Sequence, residues 1–282
     1  MATERVWIPS STGPLLAGLI DHPEGPLRGW GVFVHGFTLG KDHLSVARTC
    51  RQLAAKGVGM LRFDALGIGE SEGRWGDGGF STKVADAARA VEHLTDRGMS
   101  PGLLVGHSWG GAAAIAAATR LQQITCVATI NAPADPTHVQ HHFAPVLEEV
   151  MTTGSAPWTV AGRTLTLTRE MVEDVRRASI RAEVATLGRP LLVLHSPSDA
   201  TVDINHAAEL FMTARHPRSF VSLEEADHLL TRAGRAQRAA KVISAWAGPY
   251  LRASLAQPPV GQHPAAREEA GLLTRAGDPA TV

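Results

Sequence analysis

The segment richest in chemistry is Gly106-His107-Ser108-Trp109-Gly110-Gly111, which follows the apolar run Leu103-Leu104-Val105 and leads into an Ala-rich stretch. A serine between a strand and a helix, bracketed by glycines, is held in a sharp turn that pushes its Oγ out at the carboxyl edge of a sheet. Gly106 and Gly110 leave room for that turn, because a Cβ at either site would strike neighbouring backbone. The chemistry that fits is nucleophilic attack by Ser108 on a carbonyl. The free N–H groups at the start of the next helix, Trp109 first among them, would face the oxyanion that forms. Earlier, Gly31-Val32-Phe33-Val34-His35-Gly36-Phe37-Thr38 brings a strand to a turn that aims the Phe37 N–H at the same point. His35 itself reads as a hydrogen-bonder under this loop rather than as a base.

A nucleophilic serine needs an imidazole to take its proton and a carboxylate to orient the imidazole. Phe220-Val221-Ser222-Leu223 leads to Glu224-Glu225-Ala226-Asp227-His228, which places His228 on a loop before the last helical stretch. Pro190-Leu191-Leu192-Val193-Leu194-His195 leads to Ser196-Pro197-Ser198-Asp199, which supplies Asp199 on the loop after the preceding strand. Asp203 and Asp227 are rival acids. Asp203 sits where a helix N-cap is expected, and Asp227 adjoins the base and is poorly placed to reach its Nδ1. The chain order Ser108, Asp199, His228 is therefore the expected one, with an acyl-enzyme on Ser108 as intermediate.

The elements that must position these groups are short apolar runs alternating with longer stretches of helical period, the pattern of a mostly parallel sheet covered by helices. Strands are predicted at 6–8, 15–20, 30–34, 59–63, 103–105, 125–130, 191–194 and 220–223, and helices at 42–56, 82–97, 109–120, 205–215 and 235–251. Between 133 and 189 the alternation breaks for longer than an ordinary loop allows. That segment is expected to form a cap, with an amphipathic helix at 138–152, a hairpin at 158–166 turning at Ala161-Gly162, and a helix at 169–179. The core then comprises 1–132 and 190–254, and the Ala-, Pro- and Gly-rich residues 255–282 are expected to be a disordered tail.

Composition narrows the function classes. The 282 residues are 44% apolar, enough for one large α/β domain, and Lys plus Arg equal Asp plus Glu at 27 each. No net field draws the chain to nucleic acid or an anionic membrane. The opening Met1-Ala2-Thr3-Glu4-Arg5 lacks the pattern of a secretory signal, and no apolar run is long enough to span a bilayer, so a cytoplasmic location is expected. Cys50 and Cys126 lie in apolar surroundings without a second Cys at metal or redox spacing, and read as buried thiols.

The motifs together resemble bacterial α/β-hydrolases of the serine aminopeptidase S33, monoacylglycerol-lipase and cinnamoyl-esterase group. The pieces that carry the resemblance are His35-Gly36-Phe37, Phe63-Asp64-Ala65-Leu66-Gly67-Ile68-Gly69-Glu70-Ser71, Gly106-His107-Ser108-Trp109-Gly110-Gly111, Ser198-Asp199-Ala200-Thr201-Val202 and Ala226-Asp227-His228, within residues 5–252. More narrowly, Gly40-Lys41-Asp42, Ala132-Pro133-Ala134-Asp135-Pro136 and His228-Leu229-Leu230-Thr231 resemble the hydrolase half of proteins fused to an OsmC-like domain, a second domain this chain is expected to lack. The resemblance implies an α/β-hydrolase fold of eight mostly parallel strands with a cap insertion. It also implies a cofactor-independent serine hydrolase acting on a small-molecule carboxylic ester. Amide or thioester hydrolysis by the same groups, and a silent ligand-binding member of the fold, are the alternatives. Trp109 stands where this group more often has Leu or Met, and its indole is expected to narrow the acyl pocket.

Gly67-Ile68-Gly69 has the wrong spacing for a dinucleotide loop, and Asp64 and Ser71 are expected to order that turn by hydrogen bonds. His138, His141 and His142 lack a carboxylate-rich partner motif, so solvated cap histidines are expected before a metal site. Phe143, Leu147, Met151 and Trp158 are the cap residues expected to line a substrate pocket.

Overall fold

The computed structural model describes residues 2–160 and 162–255, so Met1, Ala161 and all but the first residue of the tail expected at 255–282 lie outside the described residues. One sheet has strand order β1-β2-β4-β3-β5-β6-β9-β10, built from β1 (Thr3–Pro9), β2 (Leu15–Asp21), β3 (Gly29–Val34), β4 (Val58–Phe63), β5 (Pro101–His107), β6 (Cys126–Ile130), β9 (Leu191–His195) and β10 (Arg218–Ser222). β2 runs antiparallel to both its neighbours, and every other pairing is parallel. The order reverses at β3, which has β4 on one side and β5 on the other. The carboxyl edge at such a reversal is where open α/β sheets leave a crevice.

Strand side chains alternate between two cores because the strand period is two. Phe33, Leu103, Val105, Ala128, Leu192 and Leu194 pack with α1 (Leu44–Ala54) and α8 (Arg235–Leu255) on one face. Val32, Val34, Leu104, Val127, Leu191 and Val193 pack on the other with α2 (Phe80–Asp96), α3 (Trp109–Ala118) and α7 (Ile204–Thr213). β3, β5, β6 and β9 are buried throughout, as strands covered on both faces must be. Cys50 and Cys126 are buried free thiols, and burial pushes the Cys126 thiol up to about 12. Among the described residues no helix is long and apolar enough to cross a membrane.

The segment between β6 and β9 holds a 3-10 stretch (Pro136–Val146), α4 (Leu147–Thr153), the hairpin β7 (Ser155–Val160) with β8 (Arg163–Thr168), α5 (Arg169–Arg177) and α6 (Arg181–Thr186). This corrects the single amphipathic helix expected at 138–152. Pro145 has no N–H to give and its ring crowds the preceding turn, so the α-helix begins only at Leu147. α6 has no counterpart among the predicted elements. The segment sits on the body through aromatic rings. Trp158 stacks on Trp75 at 5.5 Å, and Phe143 and Trp158 lie 5.8 and 5.9 Å from Phe37.

Candidate active site

Ser108 joins β5 to α3 with φ 52° and ψ −130°, a left-handed conformation that a non-glycine residue holds only when its surroundings over-determine it. The surroundings are backbone against backbone. A Cβ on Gly106 would lie 2.3 Å from the Gly110 carbonyl oxygen, and one on Gly110 would lie 2.2 Å from the Val34 carbonyl oxygen. The Ser108 N–H donates to the Ile130 carbonyl at 2.8 Å, which ties the turn to β6. Although it occupies an N-cap position, its hydroxyl does not cap α3 and lies 3.0 Å from His228 Nε2.

His228 Nδ1 lies 2.7 Å from Asp199 Oδ2, and the remaining oxygen, Oδ1, accepts from the Thr201 and Val202 N–H groups at 2.8 and 3.0 Å. Burial alone would push the Asp199 carboxyl up. The His228 hydrogen bond and charge, with the two N–H donors, outweigh burial and hold it below the usual carboxylate value. The two rival acids are spent elsewhere: Asp203 caps α7 by accepting from the Asn205 N–H, and Asp227 accepts from the Thr231 N–H and hydroxyl. The structure thus brings together Ser108, His228 and Asp199. A hydroxyl bonded to an imidazole whose far nitrogen is fixed by a carboxylate is the arrangement that makes an alcohol nucleophilic at neutral pH.

Phe37 follows β3 and Trp109 opens α3, so both lie at the same sheet edge as Ser108. Among the described residues nothing accepts from either backbone N–H, as expected for Trp109 at a helix start. His35 is held as a neutral ring. Nδ1 pairs with the Gly36 carbonyl at 2.7 Å and Nε2 accepts from the Ala65 N–H at 3.0 Å, and burial holds its pKa well below the ordinary value. The Asp64 turn is ordered by polar contacts as expected: Ser71 Oγ donates to the Asp64 carbonyl at 2.8 Å, and buried Lys41 reaches Asp64 Oδ2 at 2.8 Å.

A cavity of about 210 Å³ opens beside Ser108 and His228, walled by Leu39, Pro133, Val139, Val160 and Leu229, with His138, His142 and Thr201 as polar members. The four cap residues expected to line it, Phe143, Leu147, Met151 and Trp158, are not in its wall. Phe143 and Trp158 are buried among aromatic rings, with Trp158 Nε1 donating to the His142 carbonyl, and Leu147 and Met151 pack against the same core. Trp109 also departs from expectation. Its indole packs behind the wall residue Phe37 at 4.8 Å and against Phe80 at 5.4 Å, donates from Nε1 to the Pro136 carbonyl at 3.0 Å, and is not itself in the wall of the cavity beside Ser108. Of the cap histidines, His138 and His142 join the cavity wall, and His138 Nε2 lies 2.7 Å from the Thr201 carbonyl.

Sheet order, elbow and cavity define a hydrolase of the α/β-hydrolase fold. The model of the serine aminopeptidase, S33 family matches residues 25–177, and the chain belongs to that family. The esterase domain of a Rhodothermus marinus protein is 37% identical, with a TM-score of 0.73, and covers 89% of this chain and 100% of its own. Est1E from Butyrivibrio proteoclasticus, solved with ferulic acid bound, shares the fold at 17% identity and a TM-score of 0.69, over 89% of this chain and 100% of its own. The YfhR protein of Salmonella typhi is 26% identical over 185 residues, or 65% of this chain, and the match spans 59% of that relative's length.

Proposed function

We propose that this protein hydrolyses carboxylic esters of small to medium acyl groups through an acyl-enzyme on Ser108. The observation that carries the reading is the unbroken hydrogen-bonded chain from Ser108 Oγ through His228 to the Asp199 carboxylate. Ser108 Oγ attacks the ester carbonyl while His228 Nε2 takes its proton, and Asp199 stabilises the imidazolium. The Phe37 and Trp109 N–H groups, which have no other acceptor among the described residues, receive the oxyanion. His228 then gives the proton to the departing alcohol. Water, deprotonated by the same ring, cleaves the acyl-enzyme and returns Ser108. The mechanism draws on side chains, backbone and water alone.

The mainly apolar wall and modest volume of the cavity suit a short acyl chain or one ring. The esterase domain at 37% identity supports the ester over other acyl compounds. The test is a panel of p-nitrophenyl esters of rising acyl length beside an aminoacyl anilide and an acyl thioester. The expected result is a kcat/KM maximum among the shorter esters, with the anilide and thioester lower. A preference for the anilide or thioester assigns the same triad to that leaving group.

A further inference from the structure

The three loops that carry Ser108, Asp199 and His228 are joined to one another by a set of contacts that includes none of those three side chains. At its centre is Asn131, the residue after β6, fully buried and with φ 48°. Its Oδ1 accepts from the Ser196 N–H at 2.9 Å, three residues before Asp199. Its Nδ2 donates to the backbone carbonyl of His228 at 3.0 Å and, more weakly, to that of Asp227 at 3.4 Å. The residue before it, Ile130, accepts the Ser108 N–H. Two neighbours complete the set. Buried His107 places Nε2 2.7 Å from the same His228 carbonyl, and Ser196 Oγ donates to the Ala226 carbonyl at 2.6 Å. His107 is neutral, since burial holds its pKa at about 3, so Nε2–H is the donor and both lone pairs of the His228 carbonyl are occupied.

Taking the triad reading above as its basis, we propose that Asn131 is a positioning residue: it fixes the His228 loop against the Asp199 loop and the Ser108 elbow so that the imidazole meets both partners at once. Asparagine meets three requirements here. It tolerates the left-handed backbone that turns the chain at the end of β6. It accepts from one loop and donates to another through a single planar amide. Its orientation is set by chemistry, because Ser196 offers a donor and His228 an acceptor. Without Nδ2, the His228 carbonyl keeps the His107 tie alone among its side-chain donors, and the ring is less constrained to the line between Ser108 and Asp199.

The test uses Asn131→Asp, which keeps shape, backbone tolerance and the Oδ1 acceptor but sets a carboxylate oxygen against the His228 carbonyl, and Asn131→Gly, which keeps only the backbone. With p-nitrophenyl acetate, kcat falls about 30-fold or more while KM stays within about threefold, since the cavity wall is untouched. The low-field proton resonance of His228 Nδ1–H in its bond to Asp199 broadens or moves upfield in the folded variants. A purely structural role would lower the thermal midpoint and leave both readouts of the folded protein unchanged. Folded variants with kcat within about twofold of wild type and an unmoved resonance overturn the proposal. Should neither variant fold, Ser196→Ala carries the test: a drop of about fivefold supports the shared network, and an unchanged rate and resonance overturn it. If wild type does not turn over the ester, the Ser108 reading fails separately, and the resonance, which needs no substrate, still decides the role of Asn131.

Discussion

On the sheet side of the cavity the triad and its supports are tied to one another: Ser108 to His228, His228 to Asp199, Asp199 to two backbone N–H groups, and the His228 carbonyl to Asn131 and His107. On the cap side the wall is made of Val139, Val160, His138 and His142, and it is supported from behind by the stacked rings of Trp158 and Trp75. One side is fixed by hydrogen bonds and by backbone that only glycine or a strained serine can follow. The other is fixed mainly by how bulky side chains pack, with single hydrogen bonds at His138 and Trp158. Such a division lets the chemistry stay constant while the pocket varies, and it predicts that substitutions on the two sides do different things.

The largest effect should come from the sheet side. His228→Ala and Asp199→Asn each lower p-nitrophenyl acetate turnover by roughly two to five orders of magnitude with the protein still folded. Near-normal turnover by Asp199→Asn would transfer the orienting role to another acid and dissolve the contrast. On the cap side, Trp158→Ala removes the ring that joins the cap to Trp75 and Phe37, and should cost about 3–5 kcal/mol in urea unfolding. Turnover by the folded fraction should fall by less than about tenfold, because no proton-transferring group moves. A loss as large as that of the triad variants would show that the cap is part of the catalytic frame.

Acid should act on both sides through desolvated histidines: burial lowers the pKa of His138 and His142 in the cap-side wall and of His195 beneath the site, and it acts most strongly on the sheet side. His107, with a folded pKa of about 3 against 6.5 for the free side chain, and His35, also well below it, are kept neutral chiefly by burial. Their pKa values are depressed on folding, so the unfolded chain binds more protons as pH falls. The stability they contribute is complete above about pH 6.5 and declines below it, by up to about 1.4 kcal/mol per pH unit for each ring. Asp199, also depressed, adds a further loss only below the ordinary carboxylate range. Urea unfolding at pH 7.5 and 5.5 measures this, and equal stability at the two values would show that the two rings are not buried and neutral. The smallest effect belongs to the cavity wall. Val160→Leu should shift the preferred acyl length downward by less than about tenfold in kcat/KM, with kcat for acetate nearly unchanged.

The same division explains what the sequence disclosed. The elbow, the chain order of Ser108, Asp199 and His228, and the strands are legible because each follows from a local rule: glycines where backbones touch, short unbroken apolar runs where both faces of a strand are buried. Asp203 was separable from Asp199 because a residue just before a helix is an expected cap. The cap was less legible. Pro145 breaks the helix that the apolar spacing suggests, and apolar character alone does not distinguish Trp158, which packs behind the wall, from Val160 on the same strand, which forms it. Trp109 is ambiguous in the sequence for a related reason, since its position at the first turn of α3 does not say which way the indole turns. Asn131 gave no signal, because its left-handed backbone and its two partners, Ser196 and His228, are far away in the chain.

The central claim is that Ser108 is made nucleophilic by His228 and Asp199. It is tested most directly by reaction with a fluorophosphonate followed by intact and peptide mass measurement. One phosphonyl group on the peptide containing Ser108, none on Ser108→Ala, and a reaction rate roughly a thousandfold lower in His228→Ala are the expected results. An unlabelled wild-type protein, a label elsewhere in the chain, or an equal rate in His228→Ala would contradict it.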